Sequence, residues 1–225
     1  VFIVRAEKTF LEAQTNYLAE TNSTTNVLQF AQAAYTLADL ATNDDQRAKV
    51  ARSGIAACRQ WLARETNSAA GHYYLAMNLG QLAKAKAPSL TAYRLVHEME
   101  REFLTAADLD VQIDHAGPAR TLGVLYFQAP GWPFSIGSDD KARIWLERAV
   151  KLAPDYPGNE LALAAAQLKW HERDELQATL KKMDTIWPAA RTNLIGESWE
   201  QIWQEWETKR TALKADFQQL YGTKP

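Results

Sequence analysis

The sequence predicts an all-α protein, and three observations carry that prediction. Apolar residues recur at steps of three and four along most of the chain, the period of a helix with one buried face. Turn formers are scarce: 10 Gly and 8 Pro in 225 residues, below the roughly 12% of average usage. Prolines also punctuate the periodic stretches, with Pro88, Pro130, Pro154, Pro157 and Pro188 all expected between helices.

In chain order, Ile3, Phe10, Ala13 and Tyr17 share one face of a first helix within residues 1–24. Leu28, Ala31, Ala34, Tyr35 and Ala38 do so in a second, and polar runs at 20–25 and 42–45 separate the helices. A third helix over 44–65 turns Ala51, Gly54, Cys58, Trp61 and Leu62 inward. Further helices fit 69–86, 90–109, 116–128, 139–152, 157–171, 173–185 and 197–221. Ser138, Asp139 and Asp140 open one of them with a capping oxygen and negative charge at the positive end of the helix dipole. Residues 121–127 are the one stretch that also reads as a strand, and their length and flanks favour helix.

Internal repetition organises these helices. Leu75, Leu122 and Leu163 occupy equivalent places, each followed by a small residue: Ala76, Gly123 and Ala164. In the second helices, Ala142, Leu146, Ala149 and Pro154 recur as Leu176, Leu180, Met183 and Pro188. This pattern resembles the tetratricopeptide repeat (TPR), a helix–turn–helix unit marked by Leu-Gly, an aromatic, Ala, an apolar residue, Ala and Pro. Leu122, Gly123 and Tyr126, then Ala142, Leu146, Ala149 and Pro154, carry the likeness. It implies a right-handed α-α superhelix of hairpins forming a single domain over 1–225. That domain comprises an N-terminal helix at 1–24, repeats at 25–190 and a capping helix at 191–225. More narrowly, the long loop and the stretch GPARTLGVLYFQAPGWP resemble bacterial T-component relatives of TRAP-type transporters.

Chemistry-bearing motifs are scarce. The chain carries 25 Lys plus Arg against 27 Asp plus Glu, a net charge of −2. It therefore offers no positive field for a phosphate backbone, and nucleic acid is not an expected partner. Cys58 is the only cysteine. This excludes an intramolecular disulfide or a zinc site built of thiolates, and the helical spacing makes it a small core residue. His72, His97, His115 and His171 form no His-x-x-x-His pair; His97-Glu98 starts like a zinc-protease helix, but position 101 is Arg. Ser135 lacks the preceding glycine of a nucleophile elbow, having Pro133 there. Glu98, Glu100 and Glu102 alternate with Arg94 and Arg101 as a solvated face. No phosphate-cradling glycine motif occurs. The expectation is a protein that is not an enzyme and needs neither cofactor nor metal. The longest apolar run at the start is Val1 to Val4, so no membrane span is expected.

Aromatic residues are the unusual feature, with 8 Trp, 8 Tyr and 7 Phe. Trp199, Ile202, Trp203, Trp206, Leu213, Phe217 and Leu220 follow steps of 3 and 4 in the last helix. Such a helix can cap a stack of hairpins or bind a partner. Between two helices, the loop at 128–137 carries Trp132, Phe134 and Ile136 with two prolines and two glycines, which makes it shaped rather than floppy. Two readings stand: Trp132 and Phe134 plug a gap between repeats, or they wall a groove or anchor an interface.

The resemblance implies a concave face lined by Tyr73 and Met77, Arg120 and Val124, and Leu161 and Ala165. With Phe127, Trp132 and Phe134 it would be an apolar groove with one guanidinium. Arg120 then either meets a ligand carboxylate or makes a structural salt bridge to Asp114. The expected function is a non-enzymatic binding or scaffold protein holding a protein segment or an apolar or amphipathic ligand. The alternatives are an exported accessory of a TRAP-type solute transporter, and a homo-oligomer built through the Trp-rich C-terminal helix. The family likeness favours an exported, periplasmic setting, and the start at Val rather than Met is compatible with a removed export signal.

Overall fold

The computed structural model describes residues 1–222, in which ten α-helices are joined by short loops and no strand occurs. The chain divides into two compact units, one comprising Val1–Ile113 and Pro130–Ile136, the other Asp114–Ala129 and the residues from Gly137 onward.

The first unit holds α1 (Phe2–Ala19), α2 (Thr24–Asp39), α3 (Asp44–Leu62), α4 (Ala69–Lys86) and α5 (Leu90–Asp110). Four of the five start on a side-chain cap. Ser23, Asn43, Ser68 and Ser89 each accept from the backbone N–H three residues on, at 2.9 to 3.3 Å. Each such cap is worth about 1 kcal/mol. Asp44 and Asp45 add negative charge to the first turn of α3. Each helix packs on the next, and α2 also touches α4. Tyr17 stacks on Phe30 at 5.1 Å and Phe10 tilts against the same ring at 5.4 Å, fixing α1 to α2. Between α2, α3 and α4 the approach is close. A Cβ at Gly54 would lie 2.4 Å from Asn78 Oδ1 and 2.9 Å from Ala34 Cβ. Asn78 is fully buried and donates to the Ala31 and Tyr74 carbonyl oxygens at 3.1 and 2.8 Å, which satisfies its amide N–H groups in the core.

The second unit holds α6 (Ile113–Gln128, all but its first residue), α7 (Asp139–Leu152), α8 (Pro157–Lys169), α9 (Arg173–Asn193) and α10 (Glu197–Tyr221). The inward faces read from the sequence are inward here. Ala142, Leu146, Ala149, Leu176, Leu180 and Met183 are all fully buried. Gly123 sits where a Cβ would meet Leu146 Cγ at 2.6 Å and the Leu146 backbone N at 3.0 Å, so the large-then-small pair Leu122–Gly123 permits backbone approach. Along α10, Trp203, Trp206, Leu213 and Phe217 are buried against α8 and α9. Trp203 Nε1 donates to the Leu194 carbonyl oxygen at 2.7 Å. The Trp face of this helix is thus spent inside its own chain, while Leu220, expected on that face, is 54% exposed.

Three helix C-terminal ends correct the sequence reading, the first being α3, which stops at Leu62 with Ala63 as its C-cap rather than at 65. Helix α8 stops at Lys169, with Trp170 as its C-cap and His171 at φ 59°, rather than at 171. Pro188, expected to end a helix at 185, lies inside α9, which continues to Asn193. An interior proline costs about 3 kcal/mol. On either side of it, Ile186, Trp187 and Ala190 remain buried, and Trp187 meets Trp203 of α10 edge-on at 5.4 Å. Burial of large apolar side chains returns roughly 1.5–3 kcal/mol each, enough to carry the helix through.

Candidate functional site

The residues expected to line one groove divide between the units. Tyr73, Met77, Trp132 and Phe134 belong to the first, and Arg120, Val124 and Phe127 to the second.

Arg120 is the hub of a polar cluster where α6 begins. Asp114, His115 and Ala116 hold φ of 50°, 55° and 63°, three successive side-chain-bearing residues in the left-handed region. That conformation costs roughly 1–2 kcal/mol per residue. Arg120 Nη1 donates to the carbonyl oxygens of Asp114 and His115 at 3.3 and 3.2 Å, and its Nη2 pairs with Asp114 Oδ2 at 2.8 Å. The guanidinium also reaches Asn159 Oδ1 at 3.1 Å and lies 5.0 Å from the centroid of the Tyr156 ring. Asn159, fully buried on α8, donates in turn to the His115, Ala149 and Ala153 carbonyl oxygens, each at 3.1 Å. Of the two readings open for Arg120, the structure places the salt bridge to Asp114. The same cluster stacks the exposed His115 ring on Tyr156, centroids 4.3 Å apart and planes 4° from parallel. Trp199 and Trp206 stand edge-on to Tyr156 at 6.4 and 5.1 Å. Burial pushes the Tyr156 hydroxyl up to about 12, against the opposing pull of Arg120. Neither the role of Asn159 nor the left-handed turn is legible in the sequence.

The loop between α6 and α7 is the second feature. Phe134 and Ser135 N–H donate to the Gly131 carbonyl oxygen at 3.0 and 3.3 Å, closing a compact turn. Past the turn, Ser138 N–H donates to the Tyr126 carbonyl oxygen at 3.0 Å, and Ser138 Oγ caps α7. Trp132 is 89% exposed and Phe134 78% exposed, so neither plugs a gap.

The remaining groove candidates are packed to different degrees. Tyr73 is 1% exposed, edge-on to Tyr74 at 5.0 Å and tilted against Phe103 at 5.9 Å, so it offers no surface to a ligand. Leu161 is likewise buried, in the core that α10 closes. Met77 is half-buried. Val124 and Phe127 pack on Leu146, Leu163 and Ala166, and Phe127 stands edge-on to Trp170 at 6.0 Å under Lys169 Nζ. A residue two positions from the Leu-Gly leucine can thus face a neighbouring helix as readily as open solvent.

Two of the reactive side chains, Cys58 and His72, are taken up by the structure. Burial raises the Cys58 thiol to about 12, so it stays protonated at neutral pH. His72 Nδ1 lies 2.6 Å from Glu102 Oε2 and its Nε2 lies 3.0 Å from the Thr66 carbonyl oxygen, which commits both ring nitrogens. Among the described residues no three metal-ligating side chains gather, and no helix is long and apolar enough to cross a membrane. Compared with protein-family models and with curated proteins, the chain matches none.

Proposed function

We propose that this chain is a non-catalytic scaffold of the TPR kind, a right-handed stack of helix pairs, which takes hold of a partner protein through residues 130–136. The observation that carries the reading is the exposure of Trp132 and Phe134 on a turn braced by the Gly131 carbonyl oxygen. An isolated exposed aromatic is ordinary, but two of them two residues apart on a braced turn form a ready-made anchor. Each would contribute roughly 1.5–3 kcal/mol on entering an apolar pocket. Little ordering entropy opposes this, because the turn is already shaped. The chemistry asks for a partner surface with an apolar cleft. Arg120 stabilises the scaffold and leaves carboxylate recognition to other groups. The transporter-accessory reading draws its support from residues 117–133, the stretch that carries the narrower resemblance.

Site-specific photocrosslinking in producing cells tests this reading. With p-benzoylphenylalanine in place of Trp132, one recurrent protein adduct is expected, and none with the same group at the exposed Ile144. The purified pair should then bind about 10–100-fold more weakly when Phe134→Ala is introduced, with an unchanged melting temperature. Absence of an adduct at 132, or indifference of the purified pair to Phe134, removes the reading.

A further inference from the structure

We infer that α1 is a self-association surface, pairing antiparallel with α1 of a second copy of this chain about a two-fold axis at Leu11. This goes beyond the loop-anchor reading and uses a different surface. Val4, Leu11 and Leu18 are 66%, 59% and 66% exposed. They stand seven residues apart, nearly two helical turns, so they form one stripe about 21 Å long with a drift of about 20° per step. The stripe is not a core face turned outward. Ala6, Ala13 and Tyr17 are the buried residues of this helix, and they face α2 with Phe10. The helix therefore has two apolar faces, of which the chain itself covers one.

The pattern along the stripe specifies the occupant. It is symmetric about its centre: turning a second copy end for end sets Val4 on the partner's Leu18, Leu11 on the partner's Leu11, and Leu18 on the partner's Val4. Both ends of the seam then hold one Val and one Leu, whereas a parallel pair would set Val on Val at one end. The antiparallel arrangement also opposes the two helix dipoles favourably. The flanks agree. Lys8, Glu12 and Thr15 lie along one side of the stripe, with Glu7 and Gln14 along the other. In the antiparallel pair each Lys8 falls at the level of the partner's Glu12 and Thr15, and each Glu7 beside the partner's Gln14. The two Lys8 residues are about 9 Å apart along the axis and the two Glu7 about 12 Å. The two Glu12 residues come within about 3 Å of each other along the axis, and the two Lys8 residues flank them on either side, so each carboxylate has an ammonium group of the partner beside it. Lys8 already leans toward Glu12 of its own helix at 3.8 Å, with both groups exposed and able to re-pair. A net charge of −2 per copy opposes association only weakly. Three rungs of one helix pair bury less than the ~1,200 Å² of a standard interface, so the dimer should dissociate on dilution, in the micromolar range.

Sedimentation of the 225-residue chain over about 1–100 µM should show the mass rising from 25.3 kDa toward twice that value. Leu11→Glu should hold it at the monomer mass with unchanged helical circular dichroism, because position 11 lies outside the buried face of α1. Native Cys58 is buried, so introduced thiols report alone. Under mild oxidation Leu11→Cys should crosslink to its own copy, Val4→Cys should not, and Val4→Cys combined with Leu18→Cys should. A monomer at every concentration overturns the proposal, as does efficient crosslinking of Val4→Cys alone. Leu11→Cys reacting no faster than Ile144→Cys would also overturn it. None of these outcomes depends on Trp132 or Phe134, so the loop reading stands or falls separately.

Discussion

Arg120 Nη1 meets Asn159 Oδ1 at 3.1 Å, and through that contact α8 secures the left-handed backbone that opens α6. One guanidinium and one carboxamide together hold the Asp114 and His115 carbonyl oxygens, against strain that three non-glycine residues would not sustain alone.

Removing the amide should therefore be costly. Asn159→Ala removes a second donor from the Ala149 and Ala153 carbonyl oxygens, which keep the Ala153 and Tyr156 N–H groups. It also leaves Arg120 short of an acceptor and the His115 carbonyl oxygen short of one of its two side-chain donors. Urea unfolding should show a loss of about 2–4 kcal/mol. A loss under about 1 kcal/mol would mean that the turn is self-supporting.

Two glycines in helices should respond oppositely to Ala. At Gly123 the new methyl group strikes Leu146, backbone nitrogen included, so Gly123→Ala should destabilise by about 1–3 kcal/mol. At Gly80 the nearest atom is Met99 Cε at 3.0 Å, the mobile end of a flexible side chain. There the helix-propensity gain of up to about 1 kcal/mol should leave Gly80→Ala neutral or more stable. Equal melting temperatures for the two variants would refute the close-approach account.

Two carboxylates should give the stability curve opposite slopes. Burial raises the pKa of Glu160 despite its ion pair with Lys182. Folding thus favours the protonated form, and the stability it adds in acid is lost as pH rises through that raised value. For Asp184 burial alone would push the pKa up, but hydrogen bonds from Lys214 and Arg210 together hold it below the usual range. Its contribution is present above the ordinary aspartate value and lost as pH falls through the lowered one. Across about pH 3–8, Glu160→Gln should remove a decline on the neutral side and Asp184→Asn a decline on the acid side. Unchanged curves would contradict both assignments.

The Cys58 thiol, buried and raised to about 12, should react with a soluble disulfide reagent only when the first unit opens. Labelling should be slow in buffer and accelerate with urea in step with unfolding seen by tryptophan fluorescence. Rapid stoichiometric labelling of the native protein would show that the core around α3 opens without global unfolding.

Helix positions are legible to within a few residues because a helix with one buried face repeats every three to four residues along the chain. The caps Ser23, Asn43, Ser68 and Ser89 are equally local. The site is less legible. Tyr73 belongs to a helix with neighbours on more than one side, and sequence spacing does not say which side closes; contact with Phe103, thirty positions on, decides it. Arg120 is readable as a partner of Asp114 six residues away, but not as a partner of Asn159, thirty-nine away. Pro188 shows the same limit, since its helix survives because Trp187 and Ala190 are buried in the core that α10 shares.

Residue order suffices for an all-helical chain, the inward faces of its second helices and the isolation of Cys58, because each rests on short-range periodicity and residue count. Only long-range packing settles that Trp132 and Phe134 stand out in solvent, that Arg120 is committed to its own backbone, and that the stripe of Val4, Leu11 and Leu18 is left open. Those outcomes turn on which of several apolar surfaces finds a neighbour. That competition is resolved between segments far apart in the chain, where local pattern carries no information.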